Sequence, residues 1–190
     1  MLRDTTMHGI VSLLDETYYR VIEELWAELQ GEFGVQGVYV TPYPHFSYHI
    51  AQDYQLPALK AFLHDFAAQY SCFYVRTTGL ALFTGEHPVL YIPLVRNHCL
   101  SKFHCSLWRA LQISGIVSGG SELYHPNQWL PHITIGFGDI DARKLSQIVP
   151  YLSSRDFAWD LHVNNLALIY DTGTEQTLCH QEELKSCVDV

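Results

Sequence analysis

Residues 44–49 read PHFSYH. On a β-strand alternate side chains share a face, so His45, Ser47 and His49 are expected on one side and Phe46 and Tyr48 on the other. A strand built only to pack would carry Val or Ile in place of the imidazoles and the hydroxyl. A polar face on an otherwise apolar strand needs solvent or a ligand. Residues 131–135, PHITI, repeat the pattern as Pro-His-apolar-hydroxyl-apolar, with His132 and Thr134 on one face and Ile133 and Ile135 on the other.

The flanking segments give the fold class. GIVSLL (9–14) predicts a buried strand. Ile22, Leu25, Trp26, Leu29 and Phe33 mark one face of a helix that Gly34 stops. The stretch 38–51 is β-branched and aromatic, with a strand break expected near Pro42 and Pro44 and a new strand after it. Leu56–Phe66, Leu100–Leu111 and Leu145–Leu152 carry three further helical stripes. Residues 73–83 and 88–95 read as strands joined by a turn, 115–129 as loop, 130–138 as a strand, and 157–171 and 177–184 as closing strands. Strands joined partly by short turns and partly by helices predict an α+β fold with largely antiparallel sheets. Each His-x-hydroxyl strand precedes a helix. That repetition predicts a single bilobal domain over 1–190: two pseudo-symmetric modules, helices outside, with the equivalent strands facing a central cleft.

Composition limits the function. The 190 residues are 48% hydrophobic, ample for a core, and the formal net charge of −9 repels long nucleic acids. A small phosphate ester in a local pocket remains compatible, since His supplies charge outside the formal count. Five cysteines, an odd number without repeated spacing, read as free thiols in a reducing compartment. The N-terminal stretch lacks the features of a signal peptide, and no window approaches the ~20 apolar residues of a membrane span. A soluble cytoplasmic protein without a membrane or an obligate protein partner is the expectation.

Two imidazoles and two hydroxyls facing one cleft suit a displacement at phosphorus. One histidine serves as base and the other as acid. Ser47 and Thr134 donate to the non-bridging oxygens as charge develops. The scheme needs no metal and no cofactor. His98, Cys99, His104 and Cys105 lack the spacing of a structural zinc set. Around the quartet, Tyr43 is a candidate for the same face, and His49 lies either at the cleft mouth or in solvent at the strand end. Tyr124 sits in a loop that could cover the cleft. Trp129 either stacks on a nucleobase or anchors the strand in the core. Gly119 and Gly120 lack the Lys-Ser/Thr ending of a phosphate loop.

PHFSYH and PHITIG resemble the paired His-x-Thr/Ser motifs of the two-histidine phosphoesterase superfamily, which includes the 2′-5′ RNA ligase-like proteins and the cyclic phosphodiesterases. The resemblance covers roughly residues 8–171. It implies a bilobal fold and metal-independent chemistry at 2′,3′-cyclic phosphates of small nucleotides or RNA ends. It also implies His45 and His132 as the catalytic pair, with His132 the base and His45 the acid, and Ser47 and Thr134 as phosphate ligands. Ser47 stands where many members have Thr. RNA 2′-5′ ligation and nucleotide or phosphodiester binding without turnover are the alternatives.

Overall fold

The computed structural model describes residues 7–186. Cys187, expected as a free thiol, and the first six residues of the N-terminal stretch lie outside the described residues. The order is β1 His8–Leu13, α1 Glu16–Phe33, β2 His45–Tyr54, α2 Leu56–Ala67, β3 Phe73–Arg76, β4 Ala81–Phe83, β5 Val89–Pro93 and α3 His98–Ser114. Then come β6 Val117–Gly120, β7 His132–Gly136, α4 Ala142–Leu152, β8 Asp160–Val163, β9 Asn165–Asp171 and β10 Gln176–Glu183. Short 3-10 turns occupy Gly37–Val40 and Glu122–Tyr124.

The expected α+β class with a mainly antiparallel sheet is present. The main sheet runs β10-β9-β1-β2-β7-β5-β4, with β6 also on β2, and β3 and β8 form a separate pair. Helix ends follow local chemistry. Asp15, Asn97 and Asp141 cap α1, α3 and α4 by accepting from backbone N–H groups in the first turn. Gly34 ends α1 at φ 65°, where a side chain would be strained. The helical stripes join Ile10, Phe46, Tyr48, Ile133 and Ile135 in one buried cluster. Val11, Ala167 and Ile169 form a smaller apolar cluster of their own.

Four segments differ from the sequence expectation. Residues 37–40 coil into a 3-10 turn where a strand was expected, since Pro42 and Pro44 cannot donate to a ladder. Segment 73–83 divides between two sheets, β3 pairing with β8 and β4 with β5, and 157–171 divides likewise into β8 and β9. The glycine-rich stretch at 117–120 is strand β6, paired with the far end of β2. Cys72 is disulfide-bonded, so the free-thiol expectation fails there, while Cys99, Cys105 and Cys179 are free. Spacing alone does not reveal such a pairing. Among the described residues no helix is long and apolar enough to cross a membrane.

Candidate active site

Strands β2 and β7, expected to face each other across a cleft, are neighbours that touch through one bridge, Phe46 with Ile133. The antiparallel register through that bridge places His45 across from Thr134 and Ser47 across from His132. All four side chains stand on the face opposite the bridging pair. The buried partners are those expected: Phe46 is 1% exposed, and Tyr48, Ile133 and Ile135 are fully buried. His45, Ser47, His132 and Thr134 line one cavity of about 350 Å³. Its walls include Val11, Ile50 and Ile169 from the sheet, and Val38, Val40 and Thr41 from the crossing segment. Gly37 begins that segment, and a Cβ there would lie 1.6 Å from the Phe137 carbonyl oxygen, so only glycine lets the segment sit this close to the end of β7.

Each histidine is oriented in the same way. His45 Nδ1 lies 2.5 Å from the Tyr43 carbonyl, and His132 Nδ1 lies 2.7 Å from the Leu130 carbonyl, two residues back in each case. A carbonyl only accepts, so Nδ1 carries the proton and Nε2 is left with its lone pair. Burial lowers both imidazoles. His45 falls to about 4, the Tyr43 carbonyl pulling upward and the charge of His132 downward. His132 is lowered by burial, with the Leu130 carbonyl acting against it. A proton on His132 therefore disfavours a second one on His45.

Phe46 with Ile133 is the single β2–β7 pair. The freed carbonyls of β2 are met from outside the ladder. Trp129 Nε1 donates to Ser47 O at 2.8 Å, His104 Nε2 to Tyr48 O at 3.0 Å, and the Ser121 amide to Ile50 O at 2.9 Å. Trp129 and His104 stack with ring centroids 3.7 Å apart, and together they fill the wedge. On the other strand, Trp26 Nε1 donates to Thr134 O at 3.1 Å. Each hydroxyl residue therefore has its backbone pinned by an indole. Phe83 and Tyr91 pack on the His132 ring at 5.1 and 5.0 Å.

The structure corrects three candidates. His49 does not share the face of His45 and Ser47. Val11 pairs with Ser47 and Ile10 with His49, so Tyr48 is an extra residue, a β-bulge. The bulge turns His49 into the core, 1% exposed, with Nδ1 2.6 Å from the Tyr54 hydroxyl, and brings Ile50 to the cavity instead. Trp129 is a core anchor, 1% exposed, and not a stacking surface. Tyr43 contributes its carbonyl, while its ring packs against the Val11, Ala167 and Ile169 cluster. Tyr124 does line the cavity. Trp26 stands in the stripe of α1 and His104 on α3, and the hydrogen bonds they donate leave no signal in the periodicity. Among the described residues no group of three or more His, Cys, Asp or Glu is placed to hold a metal.

With this geometry in view, residues 18–175 match the model of the 2′-5′ RNA ligase superfamily. The fold is similar to that of TT0787 from Thermus thermophilus, at 17% identity and a TM-score of 0.66, covering 95% of this chain and 98% of that one. It is also similar to E. coli LigT in its apo form, at 13% identity and a TM-score of 0.56, covering 97% and 100%. LigT complexed with 3′-AMP matches at the same identity and TM-score, covering 95% and 99%. At these identities the likeness speaks for the fold alone. No curated protein matches the chain.

Proposed function

The chain belongs to the 2′-5′ RNA ligase superfamily, and on that premise we propose that it is a metal-independent phosphodiesterase opening 2′,3′-cyclic phosphates of nucleotides or RNA ends. The observation that carries this reading is the pair of imidazoles in one cavity. Both are fixed through Nδ1, both have Nε2 available, and a hydroxyl stands across the register from each.

In the proposed reaction the cyclic phosphate sits among His45, His132, Ser47 and Thr134. The unprotonated Nε2 of one histidine takes a proton from water as its oxygen attacks phosphorus. The P–O bond to the 2′ or 3′ oxygen breaks, and that oxygen receives the proton of the other, imidazolium, Nε2. The product is a 2′- or 3′-phosphomonoester. Ser47 and Thr134 hydroxyls donate to the non-bridging oxygens. The resemblance assigns His132 as base and His45 as acid. Because the two rings are anchored alike, the side from which water approaches sets which ring takes the proton.

The reading treats the whole chain as one bilobal domain with no cofactor. A cytoplasmic location suits its substrate class. Two similar structures support that class: LigT is known in complexes with 3′-AMP and with NADP+. The apolar walls of Val11, Val38, Val40, Ile50 and Ile169 suit the uncharged part of a nucleoside. The test is hydrolysis of the four 2′,3′-cyclic mononucleotides and of a short RNA with a cyclic end, in EDTA. Wild-type turnover that survives EDTA and collapses in both His45→Ala and His132→Ala is expected. Turnover abolished by EDTA, or unchanged in either variant, would overturn it.

A further inference from the structure

The cavity extends beyond the quartet, and the sheet lays out its floor in rows. Ile50 of β2 pairs with Gly9 of β1, and Gly9 pairs with Ile169 of β9. All three line the cavity, and the glycine leaves the floor low between two apolar side chains. Two residues along β9, on the same face, stands Asp171, paired with Gln176 of β10. Both also line the cavity. Strands β2 and β10 are three steps apart in the sheet, about 14 Å at ~4.8 Å per step. That spacing suits a nucleotide lying across the sheet, its phosphate at the quartet and its base over Ile169.

The far end of this floor is polar, and its groups are ordered. Asp171 is buried, and its carboxylate accepts from the Gly173 amide at 2.8 Å and from Gln176 Nε2 at 3.3 Å. A carboxylate only accepts, so the Gln176 amide nitrogen faces Asp171 and its oxygen faces away. That oxygen accepts from the Thr41 hydroxyl, which arrives from the crossing segment and also lines the cavity. These bonds use one of the two Nε2 hydrogens, one lone pair of Oε1 and the hydroxyl proton of Thr41. Gln176 and Thr41 are left with one donor against three lone pairs, beside the negative charge of Asp171.

We propose that Gln176, held between Thr41 and Asp171, reads the base of the substrate and selects adenine. The adenine amino group donates to Oε1, and the ring nitrogen beside it accepts the remaining Nε2 hydrogen. Adenine alone among the four common bases carries no carbonyl oxygen. Any other base satisfies the amide with a carbonyl close to the Asp171 carboxylate or to lone pairs, and an oxygen desolvated there without a donor is costly. The inference rests on the phosphodiesterase reading for its assay, and it concerns the base rather than the reacting phosphate.

The test compares 2′,3′-cyclic AMP with 2′,3′-cyclic IMP, which differ only at that edge of the base, in the wild type, Gln176→Leu and Thr41→Val. The wild type is expected to favour the adenine substrate about tenfold or more in kcat/KM, with most of the difference in KM. Gln176→Leu is expected to bring the ratio below about twofold. Thr41→Val leaves the amide free to turn over and is expected to lower the ratio about threefold. No preference in the wild type, or a loss in Gln176→Leu that falls equally on both substrates, would overturn the inference and leave the phosphodiesterase reading intact. Should Gln176→Leu fail to fold, Thr41→Val decides, and an unchanged ratio overturns the inference. If the wild type turns over neither cyclic phosphate, that reading fails, and calorimetric binding of adenosine and inosine 3′-monophosphates takes its place. Tighter binding of the adenine nucleotide that is lost in Gln176→Leu supports the inference. Equal affinity for the two, or no binding at all, overturns it.

Discussion

Strands β2 and β7 carry the same five-residue pattern, yet only β7 keeps simple alternation through the site. From His132 to Ile135 its polar side chains face the cavity and its apolar ones the core. On β2 the alternation holds through Tyr48 and then resets, because the bulge places Tyr48 and His49 in succession on the core side. A repeated motif thus puts a histidine and a hydroxyl from each half into one cavity, while one inserted residue decides which neighbours join them.

The largest expected effect comes from removing either half's imidazole. His45→Ala and His132→Ala should each lower kcat by roughly 10²–10⁴-fold, and the double variant should be little worse than either single one, since acid and base act as a unit. Steady-state hydrolysis of 2′,3′-cyclic AMP reads this. Additive losses would mean that the two halves work separately.

Removing the hydroxyls should come next. Ser47→Ala and Thr134→Ala are expected to lower kcat by roughly 10²-fold each, with both proteins folding normally, because both side chains face the cavity. A loss at one position alone would show that the phosphate leans on a single strand.

The bulge is tested by a smaller effect. His49→Leu should leave kcat within about threefold of wild type. It should cost about 1–3 kcal/mol in denaturant unfolding, because the Tyr54 hydroxyl loses its partner in the core. A large fall in kcat without loss of stability would return His49 to the active face.

Acid should weaken the fold itself. Burial depresses His45, His49 and His104 to about 4 from the ordinary 6.5. Between those values the unfolded chain binds more protons than the folded one. Stability is therefore expected to fall as pH drops from 6.5 toward 4 and to be fully present above 6.5. Melting temperatures across that window check the sign.

Much of this was legible in the sequence. The helical stripes predicted all four helices, and two His-x-hydroxyl units sufficed to name the quartet. Three things were not legible. A bulge has no signature in a run such as FSYHIA, where every residue suits a strand, so simple alternation put His49 on the face of His45 and Ser47. The choice of partner for short strands such as β3 and β6 depends on residues far along the chain. The hydrogen bonds from Trp26, Trp129 and His104 to the motif backbone arise where two strands part, and side chains that fill such a wedge have the same periodicity as any core residue.

The most direct test of the account is the pH dependence of kcat/KM for a 2′,3′-cyclic mononucleotide in EDTA, which reports the protonation of the free enzyme. One proton shared by two depressed imidazoles predicts a bell whose two limbs both lie below 6.5, so that activity peaks on the acid side of neutrality and declines above it. A profile with a single limb, or one that does not change between about pH 4 and 8, would contradict an acid–base pair made of His45 and His132.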